Sequence, residues 1–168
     1  EAASQAGIDT IEHGTYLDEA AANEMKKNGT VLIPTLMAFQ GVTERLGKGI
    51  YTPVVEEKIR AVAETARVFM GKAMRWGVPI AFGTDAGVFG HGRNAGEFAL
   101  MVAQGMGHRE AFATATTNAA KVLGMENEIG RIAPGYSADL IAIDGNPLED
   151  TATLENVGWV MVRGRVID

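Results

Sequence analysis

The chain has 168 residues, 46% hydrophobic and 21% charged, with a formal net charge of −6. That suits one globular domain with a real core, and it falls short of the roughly 250 residues of a closed eight-stranded α/β barrel. Acidic balance without a Lys/Arg cluster excludes a nucleic-acid surface, no run of about 18 apolar residues exists to cross a membrane, and the lack of cysteine excludes disulfides and thiolate metal sites. Any metal must use nitrogen and oxygen ligands.

Residues 1–7 read as the last turns of a helix ending at Gly7, so the chain is expected to start in mid-fold, with the N-terminus not represented and a cytoplasmic location the default. Residues 8–12 read as a short strand that stops at His13-Gly14. Asp18 and Glu19 open a helix whose last turn holds Lys26 and Lys27 before Asn28-Gly29, so charge order and C-cap both suit the helix dipole. A second strand over 30–33 ends at Pro34-Thr35, since proline cannot donate to a central ladder.

Residues 37–52 contain three glycines and no clear period, which predicts a loop with a short helical turn around 42–46, long enough to close over a crevice. The strongest helix pattern runs over 53–76, with Pro53 in its first turn and Val55, Ile59, Val62, Ala66, Phe69 and Ala73 on one face. The apolar run 78–82 predicts a third buried strand, followed by the glycine-rich segment 83–92 that holds Asp85 and His91. Two helices follow over 94–106 and 108–123, and then strands over 138–143, 158–162 and 165–167 predict a small antiparallel sheet.

Strand alternating with helix up to Gly92 gives an α/β fold with parallel strands and right-handed crossovers. His13 and Asp85 both follow such strands directly, so topology brings them to the carboxyl end of the sheet, where these folds bind ligands. An imidazole and a carboxylate suit a divalent ion, and a carboxylate beside such an ion can take a proton from water and return it to a leaving amine. Taken singly, each has a plainer reading: an Asp-Ala-Gly caps turns, and a histidine at a strand end is often structural. His108 reads as a helix-start residue, the methionines as core, Asp139 as a structural acid, and Lys58, Arg60, Arg67 and Lys72 as a solvated face.

Five segments in order carry a resemblance. They are Ile11-Glu12-His13-Gly14-Thr15, Pro34-Thr35-Leu36, Gly83-Thr84-Asp85-Ala86-Gly87 with His91-Gly92 and Asn94, the stretch 115–124, and Gly130-x-Ile132-x-Pro134-Gly135 leading to Ala138-Asp139-Leu140. The chain resembles the amidohydrolase superfamily of metal-dependent hydrolases, nearest to its imidazolonepropionase-like and Xaa-Pro dipeptidase (prolidase-like) members. The resemblance implies the last three strand–helix units of a (β/α)8 TIM barrel, residues 1–124, followed by the C-terminal part of a small β-sandwich, residues 125–168. It implies metal ligation by His13 and Asp85, with Asp85 also the proton shuttle, and substrate-binding roles for His91 and Thr35. The implied cofactor is one or two divalent ions, zinc foremost. The implied reaction in an intact parent is hydrolysis of an amide or peptide C–N bond in a dipeptide or N-acyl amino acid, with cyclic-amide hydrolysis of the imidazolonepropionase kind as the variant. The family's first-strand His-x-His pair is absent, because the only histidines are His13, His91 and His108 and no two of them lie that close, and the family's fourth-strand bridging lysine and fifth-strand histidine are expected to precede residue 1. The alternative expectation is therefore a non-catalytic barrel fragment without the full metal site. Its open sheet edges would associate with a second copy or with a missing N-terminal part.

Overall fold

The structure is a computed structural model and describes residues 1–167. A short helix, α1 (Ala2–Gln5), leads into β1 (Thr10–Glu12). Asp18 caps α2 (Glu19–Asn28) by accepting the Ala21 amide at 2.8 Å, and Gly29 closes that helix with φ 72°. β2 (Val31–Ile33) then runs parallel to β1, with Ile11 opposite Leu32. The third predicted strand is present as a single parallel bridge: Leu32 N donates to Pro79 O at 2.8 Å and Ala81 N donates to Leu32 O at 3.0 Å. Leu32 is thus the middle of three adjacent chain segments and is fully buried.

Around this sheet the core collects Met25, Phe69, Met70 and Met101, each at most 2% exposed. Side chains of this size contribute about 1.5–3 kcal/mol each when fully buried. The sheet margin beyond Ile80 is not bare. Phe82 N donates to Thr114 O at 3.1 Å, and Asn118 Nδ2 donates to Ile80 O at 3.0 Å. Both partners lie in the π-helical turn Thr114–Asn118. The wider turn lets backbone and side chain reach an edge that regular strand pairing leaves open.

Two sequence expectations are corrected. The predicted loop over 37–52 begins as a helix, α3 (Leu36–Thr43), with Leu36, Met37, Ala38 and Gly41 buried, so its first half is packed core and not a free lid. Gly41 is required there, since an added Cβ would lie 2.7 Å from Phe89 Cβ. The single helix expected over 53–76 is two, α4 (Pro53–Ala66) and α5 (Phe69–Arg75). The break is filled by Gln104, whose amide donates to Ala66 O at 2.9 Å and accepts Gly71 N at 3.2 Å. A side chain inserted into the i→i−4 ladder is a recognised cause of such breaks.

After α6 (Gly96–Ala103), the helix predicted over 108–123 is α7 (His108–Ala113), the π-helical turn and α8 (Ala119–Val122) end to end. His108 Nδ1 accepts Thr151 N at 3.2 Å, which ties α7 to the 3-10 turn Thr151–Glu155. Finally β3 (Leu140–Ile143), β4 (Val157–Val162) and β5 (Arg165–Ile167) form one antiparallel sheet in the order β3-β4-β5. Asp139 accepts Arg163 N at 2.7 Å and so holds the β4–β5 turn. No helix among the described residues is long and apolar enough to cross a membrane.

Candidate active site at the carboxyl ends of the parallel strands

Each of the three parallel segments is followed by a residue in the left-handed backbone region: His13 at φ 65°, Thr35 at φ 49° and Asp85 at φ 54°. Such a φ is uncommon for non-glycine residues, less so for His and Asp than for most, and it is a genuine outlier for a β-branched residue such as Thr35; strain of that kind collects at functional sites. The turned backbone aims all three side chains toward one point. Thr35 Oγ1 lies 2.6 Å from His13 Nδ1, and His13 Nε2 lies 3.5 Å from Asp85 Oδ2. Phe39 of α3 meets the imidazole edge-on, with ring centroids 5.9 Å apart, and limits its swing. The His13 and Asp85 side chains are 48% and 42% exposed, so their facing atoms are open to a ligand. Gly83 permits this convergence, because a Cβ there would collide with the Ile33 side chain.

The segment carrying Asp85 is docked on α3. Arg45 donates to Val88 O at 2.6 Å, Phe89 is buried against Gly41, and Arg93 makes a two-pronged ion pair with Glu44 at 2.8 and 2.9 Å. Bonding to Arg93 and then Gln40 lowers the Glu44 carboxyl to about 2. Thr84 Oγ1 also donates to Asn94 Oδ1 at 3.2 Å, closing the base of the loop. His91 stands on the exposed outer part of this loop, and among the described residues the bonds that join His13, Thr35 and Asp85 do not reach it. Thr35 is fully buried, and its hydroxyl faces His13 Nδ1.

Sequence reading missed Glu97. This acid, 0% exposed, accepts Leu36 N at 2.8 Å and Met37 N at 2.6 Å, so its carboxylate caps the first turn of α3 immediately after Thr35. Burial raises it to about 7; the two amide bonds oppose that shift, and the nearby Asp85 charge adds to it. A sequence signal existed: Glu97 and Met101 are four residues apart on α6, which puts the acid on the same face as a fully buried methionine. A cavity of about 350 Å³, lined by Asp9, Val31, Ile80 and Asn118 among others, opens at the other end of the strands and has no part in this site.

The sequence profile of the amidohydrolase family matches residues 1–167. The chain belongs to the amidohydrolase family. A crystal structure of a Xaa-Pro dipeptidase with methionine bound in its active site is similar to this amidohydrolase chain at TM-score 0.94 and 42% identity, over 99% of this chain and 41% of that one. A putative prolidase from Bifidobacterium longum follows at TM-score 0.88 and 31% identity, over 98% of this chain and 43% of that one. Ochratoxinase from Aspergillus niger is 34% identical over 153 residues, which are 89% of this chain and 31% of that protein. The amidohydrolase chain thus spans well under half the length of these relatives. Its α/β fold resembles a fragment of the amidohydrolase barrel.

Proposed function

We propose that this chain carries the proton-transfer half of a metal-dependent hydrolase that cleaves amide or peptide C–N bonds, with dipeptides ending in proline or N-acyl amino acids as substrates. The observation that carries this reading is the 3.5 Å approach of His13 Nε2 to Asp85 Oδ2 at the carboxyl ends of parallel strands, in a chain of this family. The names of its relatives, Xaa-Pro dipeptidase, prolidase and ochratoxinase, point the same way. On this reading residues 1–124 are the last three strand–helix units of the barrel, and 125–168 are the C-terminal part of a β-sandwich.

The donor set fits a divalent ion in part. An imidazole nitrogen and a carboxylate oxygen converge and are half-exposed, and among the described residues no third His, Cys, Asp or Glu joins them. His13 and Asp85 would hold the ion, zinc foremost, and we assign the remaining donors to portions of the parent outside these residues. When bound, the ion supplies Lewis-acid polarisation of the scissile carbonyl. Asp85 accepts the proton of the attacking water and returns it to the departing amine nitrogen. His13, braced by Phe39 and Thr35, keeps its Nε2 directed at that exchange. We assign His91, on the exposed loop beyond Asp85, to the substrate carbonyl or carboxylate.

Hydrolysis of a panel of Xaa-Pro dipeptides and N-acyl amino acids by the parent, before and after chelation and with Zn²⁺ restored, tests the reading. Turnover should disappear on chelation and return with metal; turnover that survives exhaustive chelation contradicts it. The two-donor site favours a second reading for the 168-residue chain alone: little hydrolysis of its own, and association with a second copy or with the rest of a barrel. Turnover of the panel by a pure, metal-loaded 168-residue monomer would overturn that.

A further inference from the structure

Thr35 Oγ1 has one proton and two close neighbours, Pro34 O at 2.8 Å and His13 Nδ1 at 2.6 Å. The carbonyl can only accept, so the hydroxyl proton goes to Pro34 O. The hydroxyl oxygen is then left to accept, and the imidazole must supply an Nδ1–H. Full burial of Thr35 leaves no competing water on the hydroxyl. Neutral His13 therefore carries its proton on Nδ1 and presents the bare Nε2 lone pair toward Asp85.

What keeps Thr35 in place is the next peptide. Thr35 sits at φ 49°, a conformation a β-branched residue adopts only when its surroundings impose it. Glu97 grips the two amides that follow, Leu36 N and Met37 N, from a position 61 and 60 residues along the chain. No side chain of the α3 N-cap residue performs this capping, so the first turn depends on the Glu97 carboxylate.

We propose that Glu97 and Thr35 are positioning residues for His13: Glu97 fixes the start of α3 and with it the Thr35 turn, and the Thr35 hydroxyl selects the Nδ1–H tautomer that turns Nε2 to the ligand. The proposal rests on the reading of His13 as a metal ligand only for its purpose, because the tautomer can be read without metal. Partners behind a ligating histidine typically affect metal affinity by about 10–100-fold.

The test is imidazole ¹⁵N NMR on the metal-free full protein, followed by Zn²⁺ titration, for wild type, Thr35→Val, Thr35→Ser and Glu97→Gln. His13 should be the Nδ1–H tautomer in wild type and Thr35→Ser. It should shift toward Nε2–H in Thr35→Val, and partly so in Glu97→Gln, which keeps the shape but can accept only one of the two amides. Zn²⁺ affinity should fall about 10–100-fold in Thr35→Val and less in Glu97→Gln, with Thr35→Ser near wild type. An Nε2–H tautomer in wild type overturns the proposal even if Thr35→Val does not fold, and so does an unchanged tautomer in a folded Thr35→Val. A tautomer that moves as expected without any change in Zn²⁺ affinity upholds the positioning pair and counts instead against His13 as a ligand.

Discussion

The two sheets of this molecule are both built from short strands, and they treat strain in opposite ways. In the antiparallel sheet β3-β4-β5, the one left-handed non-glycine residue is Arg163, and the tight turn with Gly164 accounts for it. At the parallel sheet, three consecutive strand ends are left-handed at His13, Thr35 and Asp85, with no hairpin to require it. Beneath them lies a fully buried acid. The antiparallel sheet exposes Ile141, Trp159, Val162 and Ile167 and uses Asp139 only to hold a turn, whereas the parallel end concentrates a histidine, a threonine and two acids within bonding range of one another or of one helix turn. Strain without a local cause, together with convergent polar groups, sets this end of the molecule apart as the one to which the proposed chemistry is assigned.

A pair of matched substitutions tests that contrast most strongly. Asp85→Asn should lower kcat of the parent by about 10²–10⁴-fold, the usual worth of a positioned proton-transfer group, while leaving its melting temperature nearly unchanged. Asp139→Asn, the same change in the other sheet, should leave kcat alone and loosen only the β4–β5 turn, read as faster amide exchange at Arg163. Equal effects of the two on kcat would erase the distinction.

Next in size is the pH dependence that Glu97 imposes. Its native carboxyl is raised from 4.5 to about 7, so between these values the native protein holds a proton that the unfolded chain has lost. Stability from this group therefore falls as pH rises through that window and levels off above about 7. The size is about 3 kcal/mol, at roughly 1.4 kcal/mol for each tenfold change in proton affinity. Glu97→Gln should remove this slope, so that denaturant titrations show the variant gaining on wild type between pH 4.5 and 7. A parallel pair of curves would mean that Glu97 is not buried as described.

The smallest effect concerns the docked loop. Arg93→Ala removes the ion pair with Glu44, and because both partners are solvent-facing, thermal stability should scarcely change. Amide exchange at Val88 and Phe89 should nonetheless quicken, since their loop loses one of its ties to α3.

What could be read from the sequence was whatever neighbouring residues decide. Asp18 and Gly29 delimit α2 by local capping, short apolar runs mark the parallel segments, and the Arg163-Gly164 turn sets the final hairpin. The pairing of His13 with Asp85 was legible because parallel topology places the ends of successive strands together. What escaped were effects of residues far along the chain. α3 is capped by Glu97 from α6, and the long helix is broken by Gln104, 33 and 38 residues from the groups it bonds. Thr35 was legible as a residue at a strand end but not as a buried one, because nothing local shows that its hydroxyl turns inward to His13. Glu97 sits in a first helical turn, where acids are common, and only its spacing from Met101 hints at burial.

The most direct measurement is Zn²⁺ binding to the metal-free parent by calorimetry, comparing wild type with His13→Ala and Asp85→Asn. Both substitutions should weaken binding by at least tenfold or remove an ion from the stoichiometry, with the fold intact by circular dichroism. Wild-type affinity and stoichiometry in both variants would contradict the convergence of strained strand ends on a metal-binding hydrolytic site.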